Sequence, residues 1–207
     1  MLKIERSSVM NIDNAIRGAR NPMNSWAKSD SYYDENGKFV MGEADLEFGR
    51  RLCHAGSHHR KFIRQIFVSV DITAPLYWWK EFDTYKVGTV ANSCSTMHKI
   101  HSKAFDRDDF SHDRLDEGGL RMLDATVEYL EAERQKFVAD KDNKQSWHNM
   151  IQMLPSSYNQ MRTVTLNYEN LINIYYARRN HKLAEWHTVC EWIESLPYAK
   201  ELILIAD

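Results

Sequence analysis

The stretch Leu154–Arg178, with the sequence LPSSYNQMRTVTLNYENLINIYYAR, joins a strand pattern directly to a helix pattern. Thr163–Leu166 begins with three β-branched residues in a row, which predicts a short strand. Asn167 follows at once, and asparagine is a preferred N-cap because its side-chain oxygen accepts a hydrogen bond from the first helical turn. Leu171 and Ile174 then recur at helical spacing. We therefore predict a strand that passes into a helix at Asn167.

Helical patterns also dominate the rest of the chain. They predict helices from Glu43 to a stop at Gly56, from Pro75 through Lys86, from Arg114 to Ala139 and from Lys182 to Leu196, and a further strand over Ile66–Ile72. The polar stretch 21–42 predicts a long loop with a turn at Asn36-Gly37, and the pattern over 87–102 is ambiguous. Long helices with few strands predict an α+β fold, and the length of 207 residues predicts a single domain, 1–207.

Composition excludes several classes of protein. The chain is 43% hydrophobic and 12% aromatic, which excludes disorder because such a chain can bury a sizeable core. Its 27 Lys and Arg against 29 Asp and Glu give a net charge of −2, so we expect no nucleic-acid partner. Three scattered cysteines make no disulfide framework. Met1–Arg20 lacks the apolar run of a signal peptide, and Leu202–Ala206 is too short to cross a bilayer. We expect a cytoplasmic protein with no membrane partner.

Cys94, His98 and His101 are spaced at i, i+4 and i+7, which on a helix would place a thiol and two imidazoles on one face. Cysteine and histidine are ligands that zinc prefers. No carboxylate completes the set at a recognisable spacing, so we favour a polar surface segment with a buried cysteine and predict no metal site. A metal-dependent enzyme stays open as a third hypothesis.

Other chemistry-bearing patterns are sparse. No catalytic signature surrounds any cysteine, and Gly118-Gly119 lacks the residues of a phosphate loop, so the catalytic residues remain unknown. Trp78 and Trp79 are neighbours and would face different directions on a helix. We expect one of them in the core and the other available to stack on a flat ring.

Basic residues fall into three clusters, and two explanations of them stay open. The clusters are Arg178, Arg179, His181 and Lys182; Arg60, Lys61 and Arg64; and Arg17 and Arg20. The first lies at a predicted helix C-terminus, where cations complement the helix dipole. Neighbouring arginines also suit a phosphate or a carboxylate, which they bind through paired hydrogen bonds. A bound anionic small molecule is therefore the functional alternative to helix capping.

Four segments, in this order, resemble the flavin-dependent thymidylate synthases. They are Ala15–Arg20, the helix from Gly42 to Gly56, the junction Ile72–Leu76, and the series Leu154-Pro155, Asn167, Leu171 and Arg178. The resemblance implies a small antiparallel sheet flanked by long helices. It also implies a homotetramer that binds FAD and a pyrimidine nucleotide such as dUMP, with methylenetetrahydrofolate and NADPH as further reactants. It places Arg178 at the nucleotide and Asn167 near the flavin.

The arginine-rich signature of that family is altered in this chain. Without a gap, its first triplet, Arg-His-Arg, falls on Thr84-Tyr85-Lys86, so that only Lys86 retains a cation there. We assign Lys86, with Arg178, to nucleotide binding. The family's histidine before the following strand corresponds to His59 or to Gln65, depending on a gap, and we assign His59 to cofactor binding.

Two functions from different classes follow. The first is a flavin-dependent nucleotide methyltransferase of the thymidylate synthase type, which would serve nucleotide biosynthesis. The second is a catalytically inactive nucleotide-binding or protein-interaction scaffold of the same fold. The altered signature motivates the second, because lysine cannot reproduce the paired hydrogen bonds of a guanidinium.

Overall fold

The computed structural model describes residues 2–205, which form an α+β fold, as the sequence predicts. Its helices are α1 (Ile12–Ala19), α2 (Glu43–His54), α3 (Leu76–Phe82), α4 (Thr96–Lys99), α5 (Glu117–Ala139), α6 (Lys144–Met153), α7 (Tyr168–Arg178), α8 (Ala184–Glu194) and α9 (Ala199–Leu202). Its strands are β1 (Lys3–Met10), β2 (Tyr32–Tyr33), β3 (Phe39–Val40), β4 (Phe67–Pro75), β5 (Val90–Ser93) and β6 (Asn159–Asn167). A 3₁₀ segment, Arg60–Gln65, precedes β4.

Four strands form the main sheet in the order β1-β4-β6-β5. Strands β4 and β6 are antiparallel: the amide of Tyr168 donates to the carbonyl of Ile66 at 3.1 Å, and that of Leu76 to the carbonyl of Tyr158 at 3.0 Å. Along β4, buried residues alternate with partly exposed ones, so one face of the strand is apolar. The strand predicted over Ile66–Ile72 is therefore real and extends to Pro75.

The contacts of the chain define two compact units. The first comprises residues up to Lys3, Asp71–Thr84 and Asn92–Thr163. Its core lies where α5 packs against α6, and it consists of Ile100, Phe105, Phe110, Leu123, Leu130, Phe137 and Met150. Helix α5 begins three residues after the predicted start at Arg114, because the Asp116 side chain accepts a hydrogen bond from the Gly119 amide and caps it.

Both tryptophans of α3 are buried, so the expectation of one exposed indole is wrong. Trp78 and Trp79 are exposed by 0% and 1%. Their rings meet edge to face at 4.9 Å, and both contact Phe82 one turn later. The side chains of two consecutive residues on a helix point about 100° apart, so a wide apolar face can bury both. The helix ends at Phe82 and does not continue to Lys86 as predicted.

The second unit comprises Ile4–Val70, Tyr85–Ala91 and the residues from Val164 on. In it, α7 packs against α8 and against the 3₁₀ segment, which also contacts α1. Its fully buried side chains include Ile63, Ile66, Leu166, Tyr168, Leu171 and Trp186. The segment predicted as a long loop contains the hairpin of β2 and β3, and the turn predicted at Asn36-Gly37 is confirmed.

A buried carboxylate, Asp45, ties three segments of the second unit together. It is 1% exposed and accepts hydrogen bonds from Arg20 Nε at 2.6 Å and from the hydroxyls of Ser29 and Ser31. Burial opposes its ionisation, but the three hydrogen bonds and the positive charge of Arg20 hold the pKa of Asp45 below its usual value. The pair therefore fixes α1 and the 29–31 segment onto α2.

Within residues 2–205, no helix has both the length and the apolar sequence that a bilayer crossing requires.

We expect Arg20→Ala to lower the free energy of unfolding by about 3–5 kcal/mol, because it leaves the Asp45 carboxylate buried without its cation. Urea unfolding followed by circular dichroism measures the change. Arg51→Ala, on the exposed face of α2, is the matched control and should change stability by less than about 0.5 kcal/mol. Equal stability of the two variants would show that the ion pair does not hold α1 in place.

Candidate functional site

A cleft of about 700 Å³ lies beside α1 and α2 in the second unit. Its walls are Gly18, Ala19, Asn21, Pro22, Met23, Phe48, Leu52, His58, His59, Lys61, Phe62, Arg64 and Gln65. We refer to it as the basic cleft. Its volume lies in the range typical of pockets for small molecules and cofactors.

The charge of the basic cleft has one sign. His58, His59, Lys61 and Arg64 line it, and no aspartate or glutamate is among its described lining residues. The lining also includes apolar side chains, among them Phe48 and Leu52. Such a cleft favours a ligand that has both an anionic group and an apolar or aromatic body.

An ion pair fixes the basic wall in position. Arg60 donates from Nη2 to Oε1 of Glu169 at 2.9 Å and from Nε to both carboxylate oxygens at 3.2 Å. Both side chains are largely buried, at 17% and 15% exposure. Because Arg60 is anchored to α7, its neighbours His59 and Lys61 are held in the wall of the cleft. The sequence predicted the basic cluster but not its partner, since Glu169 in the first turn of a helix is equally explained by the helix dipole.

The loop Tyr85–Thr89 is held by the N-terminus of α7. Asn167 caps this helix as predicted: its side-chain oxygen accepts a hydrogen bond from the backbone N–H of Asn170 at 3.0 Å. The side-chain oxygen of Asn170 in turn accepts from the backbone N–H of Asn167 at 3.2 Å. The side-chain Nδ2 of Asn170 also donates to the carbonyl of Val87 at 2.6 Å. A Cβ atom on Gly88, which has a φ of +74°, would lie 3.1 Å from both asparagine side chains. The cap and the loop thus form one packed arrangement.

The predicted nucleotide residues lie at this loop. Arg178, the last residue of α7, donates from Nε to the hydroxyl of Tyr85 at 2.8 Å, and its guanidinium lies 4.9 Å from the ring centre of Trp186. Lys86 follows Tyr85 and is exposed. The structure therefore gathers Arg178, Lys86 and Asn167 around one loop, while His59 lies in the basic cleft. The role of Tyr85 was missed, because no sequence pattern links it to Arg178.

The predicted helical face of Cys94, His98 and His101 does not form. Helix α4 covers only Thr96–Lys99, so Cys94 precedes it and His101 follows it. Ser95 starts this helix by accepting a hydrogen bond from the His98 amide at 3.0 Å. Cys94 is exposed and not buried as expected. Among residues 2–205, no group of three histidine, cysteine or carboxylate side chains is placed to hold a metal ion.

The other two cysteines are not available as nucleophiles. Cys53 and Cys190 are buried, and burial raises the pKa of their thiols to about 12 and about 11. Thiolate is the reactive form, so both side chains are inert at neutral pH.

Comparison with known proteins identifies the fold. No protein-family model and no curated protein sequence matches the chain. Among solved structures, it is similar to thymidylate synthase X (ThyX) from Helicobacter pylori with FAD and dUMP, at a TM-score of 0.68 and 16% identity over 98% of this chain and 97% of that chain. It is also similar to the UMP/dUMP methylase PolB from Streptomyces cacaoi bound with 5-Br dUMP. That match has a TM-score of 0.66 and 14% identity over 99% of this chain and 95% of that chain.

The chain has the ThyX-like fold. A second structure of the Helicobacter pylori enzyme, complexed with FAD and dUMP, matches with the same TM-score of 0.68 and 16% identity over 97% of each chain. The fold class predicted from the sequence is thereby confirmed. The TM-scores establish the ThyX-like fold. Because the identities are low, the chemistry has to be argued from the residues of the site.

We expect Asn167→Ala to destabilise the protein by about 1 kcal/mol, because the first turn of α7 loses its cap. Thermal unfolding measures the effect. Asn92→Ala, at an exposed position of β5, is the control and should leave the melting temperature unchanged. An unchanged melting temperature for Asn167→Ala would show that the cap does not stabilise α7.

Proposed function

We propose that this protein is a flavin-dependent thymidylate synthase-like protein that binds FAD and a pyrimidine nucleotide of the dUMP type. The observation that carries the proposal is the basic cleft, which is lined both by four basic side chains and by apolar ones. The fold supports it, because the similar Helicobacter pylori structures contain FAD and dUMP.

The residues of the basic cleft fit a flavin dinucleotide. FAD has a negatively charged diphosphate between two planar ring systems, so it needs cations and apolar surface side by side. Lys61, Arg64 and His59 would hold the diphosphate, while Phe48 and Phe62 supply the apolar surface. When bound, the flavin supplies hydride transfer, and the protein's contribution is to bind and orient it.

In this proposal, the nucleotide binds at the loop Tyr85–Thr89. Lys86 provides an exposed cation there, and Arg178 lies beside the same loop through its hydrogen bond to Tyr85. A nucleotide phosphate needs such cations. Asn167 would act on this region by fixing the loop, as its packing against Gly88 indicates.

The remaining features of the proposal rest on the same family resemblance. Transfer of a methylene group to a pyrimidine and its two-electron reduction to a methyl group need a one-carbon donor and a reductant, for which we propose methylenetetrahydrofolate and NADPH. We further propose that residues 1–207 act as one ThyX-like domain, in a cytoplasmic homotetramer.

A catalytically inactive nucleotide-binding scaffold is the second candidate. The hydrogen bond from Arg178 to Tyr85 favours it. This bond uses the Nε donor of a guanidinium that, in the first proposal, binds the nucleotide. Tyr85 falls within the Arg-His-Arg triplet of the family signature, where Lys86 is the one cation retained.

Flavin binding tests the first proposal. We expect purified protein mixed with FAD and passed through gel filtration to retain flavin absorbance between about 350 and 500 nm. Because cations hold the diphosphate, the double variant His59→Ala/Arg64→Ala should bind FAD at least about tenfold more weakly. Arg51→Ala, which lies outside the cleft, should bind like the wild type. Colourless wild-type protein, or equal affinity of the double variant, would contradict the assignment of the basic cleft.

Tritium release from dUMP labelled at C5 separates the two candidates. The methyltransferase should release tritium when FAD, NADPH and methylenetetrahydrofolate are present, because methylation at C5 replaces that hydrogen. We expect Lys86→Ala to reduce the release, whereas Lys28→Ala, at an exposed site outside the loop, should not. Binding of dUMP without release, in protein that retains FAD, would identify the scaffold instead.

A further inference from the structure

A second cleft, of about 310 Å³, also uses α1 as a wall. Its side chains include Asp13, Arg17, Arg20, Trp26, Tyr33 and Phe39. We refer to it as the aromatic cleft. It shares no lining residue with the basic cleft, and the proposed function does not use it.

Two arginines supply cations to the aromatic cleft. Arg17 is exposed, and within residues 2–205 its side chain has no ion-pair partner. Arg20 is only 4% exposed, and it uses Nε to bind Asp45. Its two Nη groups donate no hydrogen bond to any residue in the described part of the chain. Neither Nη atom is among the buried polar atoms that lack a partner, so both are accessible and can donate to an acceptor in the cleft.

The aromatic walls are fixed although they are exposed. Trp26 and Tyr33 are 47% and 59% exposed. The indole of Trp26 donates to Asn21 Oδ1 at 2.9 Å, and the hydroxyl of Tyr33 donates to the carboxylate of Asp13. Phe39 meets the ring of Tyr33 edge to face at 5.5 Å. Rings held in place before a ligand arrives lose little conformational entropy on binding.

The charge balance of the cleft selects a monoanion. Asp45 already balances the charge of Arg20, so Arg17 is the one cation of the lining that has no ion-pair partner among the described residues, and Asp13 adds a negative charge to the lining. A phosphate dianion would exceed the charge of Arg17 and face the carboxylate of Asp13. A planar carboxylate matches one charge and fits the fork of a guanidinium. A volume of about 310 Å³ suits a ligand of one or two rings.

We propose that the aromatic cleft binds a small aromatic monocarboxylate, whose carboxylate is held by Arg17 and the Nη groups of Arg20 and whose ring lies against Trp26 and Tyr33. The site is separate from the FAD site and does not depend on the proposed function.

Calorimetric titration of the full chain with 2-naphthoate tests this proposal, with the uncharged 2-naphthamide as the matched probe. We expect one naphthoate per chain, bound at least about tenfold more tightly than the amide, because charged hydrogen bonds to the arginines require the carboxylate. Arg17→Ala should remove this preference, and Trp26→Leu should weaken both probes. Equal binding of the two probes, or no binding of naphthoate, would overturn the proposal.

One further variant, Arg64→Ala, is compared with Arg17→Ala to locate the probe and to keep the two proposals distinguishable. Arg64→Ala changes the basic cleft and should leave naphthoate affinity unchanged. Naphthoate affinity that falls with Arg64→Ala but not with Arg17→Ala would place the probe in the basic cleft and overturn the proposal. Arg17→Ala avoids the risk of Arg20→Ala, which we expect to destabilise the protein strongly. The FAD affinity of Arg17→Ala is also measured. We expect it to equal that of the wild type, because Arg17 lies outside the basic cleft, so the flavin proposal and the carboxylate proposal are tested independently.

Discussion

The buried carboxylate of Asp45 is the constraint on which both clefts depend. It joins α2 to Arg20 at the end of α1 and to the serines of the 29–31 segment. Helices α1 and α2 line the basic cleft, and α1 and the 29–31 segment line the aromatic cleft. A buried ion pair adds little net stability against an apolar alternative, but breaking it is costly, so it makes one arrangement of these segments much more favourable than others.

The basic wall depends on a second ion pair, between Arg60 and Glu169. This pair connects the 3₁₀ segment to α7, the same helix whose N-terminus holds the loop Tyr85–Thr89 and whose last residue is Arg178. Helix α7 therefore supports both the proposed flavin residues and the proposed nucleotide residues. These contacts of α7 are made by residues outside the triplet Thr84-Tyr85-Lys86, apart from Tyr85, so the helix is held in the ThyX-like fold without arginines in that triplet.

The sequence predicted the features that depend on local patterns. The cap at Asn167, the stop at Gly56 and the turn at Asn36-Gly37 each follow from the conformational preference of one or two residues. The wrong predictions concern features that depend on contacts between residues far apart in the sequence. Burial of both Trp78 and Trp79 depends on the width of the packed face of α3, and the short α4 contains His98 but neither Cys94 nor His101. Likewise, the hydrogen bond from Arg178 to Tyr85 spans 93 positions and leaves no periodic signal. The sequence shows the basic cluster, but the cleft that it lines could not be predicted, because its other lining residues come from elements that only the fold brings together.

The most direct test of the central claim is a crystal structure of the protein grown with FAD. We predict a flavin dinucleotide in the basic cleft, with diphosphate oxygens within hydrogen-bond distance of Lys61 or Arg64 and a ring system against Phe48 or Phe62. An FAD molecule bound elsewhere on the chain, with the basic cleft empty, would contradict it.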